Sequence, residues 1–112
     1  MYVWDISWSV SYRGRNALLS FTVTVRWDSD GDGVAESTDE VVSDATVYAT
    51  LTNLDTGDTW SFSDITDANG QVSFSVFKAP SGQYEAKVTD ITHSTYTYNP
   101  SLDVDNPDYY TL

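Results

Sequence analysis

The chain has no cysteine, one histidine and one methionine, and these shortages close several routes. Without cysteine there is neither a disulfide framework nor a thiolate metal site, so the core must hold by packing alone. With His93 as the single imidazole, a Ser-His-Asp arrangement has one possible base, and its neighbours Thr92 and Ser94 bring no nucleophile-elbow glycines. Catalysis is not expected, and the expected place of His93 is an exposed strand. Basic residues are also scarce: five Lys and Arg stand against 17 Asp and Glu, a formal net charge of −12. Such a surface repels phosphate backbones and anionic headgroups, which excludes nucleic acid and membrane surfaces as partners. No apolar run approaches the roughly 20 residues of a membrane span. The start MYVWDISWSV has no basic stretch ahead of an apolar one and does not read as a signal peptide; in a secreted parent the signal lies upstream. Glutamate makes up only 3 of the 17 acids. Aspartate favours turns and metal loops where glutamate favours helices, so loops and strands are expected.

What is present is enough apolar surface for one core. The 112 residues are 40% hydrophobic and 14% aromatic, and they are read as one domain over 1–112. The hydrophobic pattern has period 2 almost throughout, which predicts an all-β fold. Trp4, Ile6, Trp8, Val10 and Tyr12 alternate with Asp5, Ser7, Ser9 and Ser11, and the turn 13–16 separates them from Leu19, Phe21, Val23, Val25 and Trp27. The two runs predict a long hairpin with those bulky side chains inward. Val47, Ala49 and Leu51 form a third run, Trp60 and Phe62 a fourth, and Val72, Phe74 and Val76 a fifth. Asn69-Gly70, between the last two, predicts a hairpin. Tyr84, Ala86 and Val88 follow, and Tyr96 with Tyr98 supplies a seventh strand. Seven short antiparallel strands predict a two-sheet β-sandwich of immunoglobulin-like type. The tail 101–112 is expected to add an edge strand over Leu102 to Asp105.

The chemistry concentrates in one insertion. After Trp27 the chain reads DSDGDGVAESTDE, with carboxylates at Asp28, Asp30, Asp32, Glu36 and Asp39. Counted from Asp28 these are positions 1, 3, 5, 9 and 12, the spacing of the 12-residue EF-hand calcium loop. Gly33 falls at position 6, where the chain turns sharply, and Val34 at position 7, where a backbone carbonyl is a ligand. Calcium needs six to eight hard oxygens, whereas magnesium keeps its waters, so calcium is the expected ion. The alternative is a plain solvated acidic loop. Against it, five carboxylates within 12 residues repel one another unless a cation screens them. Position 12 is Asp39 rather than the usual Glu, with Glu40 beside it, and no helices flank the loop; only Ser37 to Val42 could form a helical turn.

Two resemblances follow from these residues. ATVYATLTN, TDANGQVSFSV and APSGQYEAKVTDIT, within Asp44 to Tyr98, resemble the immunoglobulin-like modules of secreted bacterial and archaeal proteins, including those appended to subtilisin-like serine proteases. Gly82-Gln83-Tyr84-Glu85-Ala86 has the spacing of a tyrosine corner, with Ala86 where antibody domains carry cysteine. The DxDxDG loop with Asp at position 12 is similar to the loops of dockerins and thrombospondin type 3 repeats, which implies an extracellular calcium site.

Two classes of function are consistent with this reading. The first is a non-catalytic, calcium-binding accessory module, secreted or at the cell surface, that spaces, stabilises or anchors neighbouring domains of a parent protein. The second is a binding or adhesion module for polysaccharide or a protein surface, with Trp4, Trp8, Trp27 and Trp60 as a stacking platform; against it, those tryptophans are expected mainly in the core. A filament subunit whose terminal segment adds a strand to its neighbour is a weaker variant.

Overall fold

The computed structural model describes residues 1–112. Seven strands form: β1 (Tyr2–Arg13), β2 (Asn16–Arg26), β3 (Thr46–Asn53), β4 (Thr59–Ile65), β5 (Gln71–Phe77), β6 (Gln83–Thr92) and β7 (Asp108–Thr111). All pairings are antiparallel, in a three-stranded sheet of order β1-β2-β5 and a four-stranded sheet of order β4-β3-β6-β7. This is the predicted two-sheet sandwich. The fourth strand joins the sheet of the third and sixth, the position that immunoglobulin-type sandwiches give an extra strand beside C, F and G.

Alternation explains the core. Leu19, Phe21, Val23 and Val25 of β2 face Val47, Ala49 and Leu51 of β3 and Tyr84, Ala86 and Val88 of β6, all within one buried cluster. Outward positions are hydroxyls, and two cross-strand pairs bond directly: Ser20 with Ser75 and Thr22 with Ser73, both at 2.7 Å.

Long-range packing overrides several local expectations. The register of β1 against β2 shifts between Val3 and Asp5, so a bulge takes Trp4 out of the inward row, and it lies half-buried with the Arg26 guanidinium 4.5 Å over its ring. Tyr12 is 65% exposed at the far end of the hairpin. The Asn69-Gly70 turn forms, with the Gly70 amide donating to the Asp67 carbonyl at 3.0 Å, but β4 and β5 do not pair: the turn carries the chain from one sheet to the other. Gly70 packs against β2 there, its carbonyl accepting from the Val25 amide at 2.8 Å. The stretch around Tyr96 and Tyr98 is not a strand, and neither is Leu102 to Asp105. Pro100–Leu102 is a short 3₁₀ turn, and the seventh strand comes later, at Asp108–Thr111.

The reason is that residues 93–107 act as a strap across the open side of the sandwich. The Asn99 amide donates to the Met1 carbonyl (2.8 Å) and the Val104 amide to the Val3 carbonyl (3.0 Å). Asp103 and Asp105 accept from the Val3 and Ile6 amides at 2.7 and 2.9 Å. The Asn106 side chain then pairs with β6, accepting from the Val88 amide (2.9 Å) and donating to its carbonyl (3.0 Å), as a neighbouring strand would. These bonds satisfy edge groups of both sheets before β7 begins.

Candidate metal centre

The acidic loop is the connection between β2 and β3, and its stem is closed by backbone. The Trp27 amide donates to the Glu40 carbonyl at 3.0 Å, the Val42 amide to the Val25 carbonyl at 3.0 Å, and Arg26 bridges to Val41. Ser29 Oγ accepts from the Glu40 amide at 3.1 Å. No helical turn forms over Ser37 to Val42; the chain turns at Glu36, whose carbonyl accepts from the Asp39 amide at 3.0 Å, and extends into the bridge. Inside this stem, aspartates accepting from amides two residues ahead wind the loop. Asp30 Oδ1 accepts from the Asp32 amide (3.2 Å) and Asp32 Oδ1 from the Val34 amide (2.8 Å). Asp28 Oδ2 accepts from the Gly33 amide at 2.7 Å. Gly33 itself takes φ +74°, left-handed backbone that a side chain would strain, which accounts for glycine at this position.

The structure gathers all five predicted carboxylates. Ligand-capable oxygens of Asp28, Asp30 and Asp32 lie within 4.8 Å of one another, and so do those of Asp30, Glu36 and Asp39. Asp30 belongs to both groups and joins them into one constellation. Val34, the predicted carbonyl ligand, is 54% exposed, and its amide orients Asp32. Glu40 is outside both carboxylate groups and serves the stem through its backbone.

Asp28, Asp30, Asp32 and Asp39 each hand one oxygen to a hydrogen bond from the protein. Asp28 Oδ1, Glu36 Oε1 and Asp39 Oδ1 are buried and have no hydrogen-bond partner. Asp39 as a whole is only 4% exposed. A buried, unpartnered carboxylate oxygen is costly unless a cation or proton meets it. Bonds to Asp30 and Asp32, with burial added, push Glu36 up to about 7, while the bond from Glu36 is the main reason Asp30 is held down at about 2. Burial is the largest influence on Asp28, which is also raised. The pattern is that of a carboxylic acid and a carboxylate sharing a proton where a positive charge is wanted. The donor set, hard carboxylate oxygens alone, suits calcium or magnesium and not a thiophilic metal.

Sequence reasoning missed the residues that hold the loop down. The Tyr2 hydroxyl donates to Asp39 Oδ2 at 2.6 Å, and Arg26 Nη1 donates to the Ser37 carbonyl and, at 3.4 Å, to that of Asp39. Tyr2 and Arg26 face each other in the β1–β2 register and so share a face. Trp27 stacks on Tyr96 of the strap at 4.8 Å. Extending the alternation of β1 back by one step would have included Tyr2; its link to Asp39 had no local signal.

The remaining functional candidates have structural places. His93 is not on a strand: it lies just past β6, half-buried, with Nε2 on the Ser43 carbonyl at 3.0 Å and Nδ1 accepting from the Thr95 amide at 3.0 Å. Trp8, Trp27 and Trp60 pack against the core. Compared with protein-family models, curated proteins and solved structures, the chain finds no match.

Proposed function

We propose that this chain is a non-catalytic calcium-binding module that stiffens and spaces a larger extracellular protein. The observation that carries the reading is that Asp30 belongs to two carboxylate clusters, one with Asp28 and Asp32 and one with Glu36 and Asp39, and that Asp28, Glu36 and Asp39 each keep a buried, unpartnered oxygen. Asp28, Asp30, Asp32, Glu36 and Asp39 hold the ion, and the Val34 carbonyl is the sixth ligand implied by the loop spacing. A bound cation supplies charge neutralisation and rigidity. The protein supplies the closed stem at Trp27 and Glu40 and the link from Asp39 to the first strand. The aromatic rings that a glycan-stacking role would use are largely packed inward, which favours the accessory role over polysaccharide binding.

Ion binding to the folded chain alone stabilises it by RT ln(1 + [Ca]/Kd), about 2.7 kcal/mol at 100 times Kd. For a domain of this size that raises the melting temperature by roughly 10 °C or more. The test is a thermal melt in calcium, in magnesium and in chelator, with calorimetry of calcium binding. Identical curves in all three buffers and no heat of binding would leave a plain acidic loop. Gel migration through a panel of polysaccharides checks the accessory role, and retardation by any glycan would move the assignment to a binding module.

A further inference from the structure

The geometry points to Tyr2 as the residue that makes Asp39 a one-oxygen ligand and thereby sets the choice between calcium and magnesium. The inference rests on the calcium reading above and concerns a residue outside the loop.

An aspartate at the last loop position can give a cation one oxygen or two. Here Asp39 Oδ2 already accepts from two donors, the Tyr2 hydroxyl at 2.6 Å and the Glu36 amide at 3.2 Å. A carboxylate oxygen has two lone-pair sites, so Oδ2 is full and only Oδ1, buried and unpartnered, remains for the ion. The arrangement cannot relax easily. Tyr2 is fully buried, Asp39 is 4% exposed, and Arg26, opposite Tyr2, holds the loop backbone at Ser37 and Asp39.

The other aspartates are less restricted. Asp28, Asp30 and Asp32 each hand one oxygen to a loop amide. Each of those oxygens accepts one bond and keeps a lone pair, so Asp39, whose Oδ2 accepts two, is the aspartate held most firmly to a single oxygen. Calcium is favoured by extra oxygens and flexible coordination, magnesium by six in an octahedron. Tyr2 therefore holds the site nearer the magnesium-tolerant limit than its five carboxylates suggest. It is a positioning residue, acting through Asp39 rather than touching the ion.

The experiment is calorimetric titration of the full chain and of Tyr2→Phe with calcium and with magnesium, together with luminescence lifetimes of bound europium in H₂O and D₂O, which count waters on the ion. Phenylalanine keeps the buried ring and removes only the donor. The expected result is a calcium-to-magnesium affinity ratio raised about tenfold, the low end of what outer-shell partners do to metal affinity, and the loss of about one europium-bound water as Oδ2 joins. An unchanged ratio and water count, or an equal loss of affinity for both ions, overturns the role of Tyr2 and leaves the calcium reading standing. Binding of neither ion by the unsubstituted chain overturns the calcium reading itself. Should Tyr2→Phe fail to fold, Asp39→Glu carries the test, because its longer arm reaches the ion past the hydroxyl: the same rise is expected, and an unchanged ratio overturns the proposal.

Discussion

The Tyr84 hydroxyl donates to the Pro80 carbonyl at 2.6 Å, four residues upstream, and closes the turn between β5 and β6. This is the tyrosine corner that the spacing of Gly82 to Ala86 predicts, and it holds with Ala86 in place of cysteine. Tyr84→Phe keeps the ring in the core and deletes the bond. The expected cost is about 1 kcal/mol, the usual worth of one intramolecular hydrogen bond. It is read as a lower urea midpoint at an unchanged slope; an unshifted midpoint would mean the bond contributes nothing to the corner.

Asn53 ties this corner to the neighbouring turn. It is fully buried, accepts from the Asp55 and Thr56 amides at 2.9 and 3.1 Å, and donates towards the Pro80 and Ser81 carbonyls at 3.4 and 3.2 Å. Asn53→Ala strands these groups and should cost about 2 kcal/mol, more than Tyr84→Phe. Gly82→Ala tests the same junction sterically. Gly82 has φ +141°, and an added Cβ would lie 2.8 Å from side-chain oxygens of Asn53 and Asp55. A loss above about 1 kcal/mol is expected by denaturant titration; a neutral Gly82→Ala would show that the two turns do not press on each other.

Asp32 and Asp39 should separate metal binding from folding. Asp32 is exposed and its bond to the backbone is to a loop amide, so Asp32→Ala should abolish the calcium response and leave metal-free stability unchanged or slightly raised as repulsion falls. Asp39→Ala should also abolish the response, but it leaves the fully buried Tyr2 hydroxyl without its acceptor, at a cost of about 1–3 kcal/mol in chelator. Paired melts in chelator and calcium distinguish the two, and equal metal-free stabilities would place Asp39 outside the core after all.

Glu36 makes the metal-free protein sensitive to pH. Its folded value of about 7 lies above the ordinary 4.5, so the folded state binds the proton more tightly than the unfolded chain does. The stability this contributes is full below pH 4.5 and is lost as pH rises through 7. Asp28 is raised and adds in the same direction. Melts in chelator should therefore fall from pH 5 to 8. Saturating calcium should remove that fall, because the ion takes the proton's place, and calcium affinity should weaken by up to about tenfold for each pH unit below 7. A metal-free midpoint that climbs steadily over this range would contradict the shared proton.

Much of the fold could be read in advance because strands leave a local mark. Leu19, Phe21, Val23 and Val25, then Val47, Ala49 and Leu51, are buried where the two-residue period puts them. The period failed at Trp4, where one extra residue shifts the register and re-aims the side chain. It failed again at Tyr96 and Tyr98, whose alternation imitates a strand although the segment's edge bonds run to Met1, Val3 and Val88.

Residue order alone implies a β-sandwich and a loop whose five carboxylates at positions 1, 3, 5, 9 and 12 can converge. Both follow from the geometry of neighbouring residues: side chains alternate along a strand, and aspartates accepting from amides two residues ahead wind a loop around its own oxygens. Folding in three dimensions is what parts β4 and β5 into different sheets, straps the first strand to the sixth through residues 93–107, and brings Tyr2 to Asp39. Tyr2 and Asp39 are 37 positions apart and Val3 and Asp103 are 100 apart. Such pairs leave no pattern in any short window, because they form only where packing the common core brings distant backbone together and buried polar groups must then find partners.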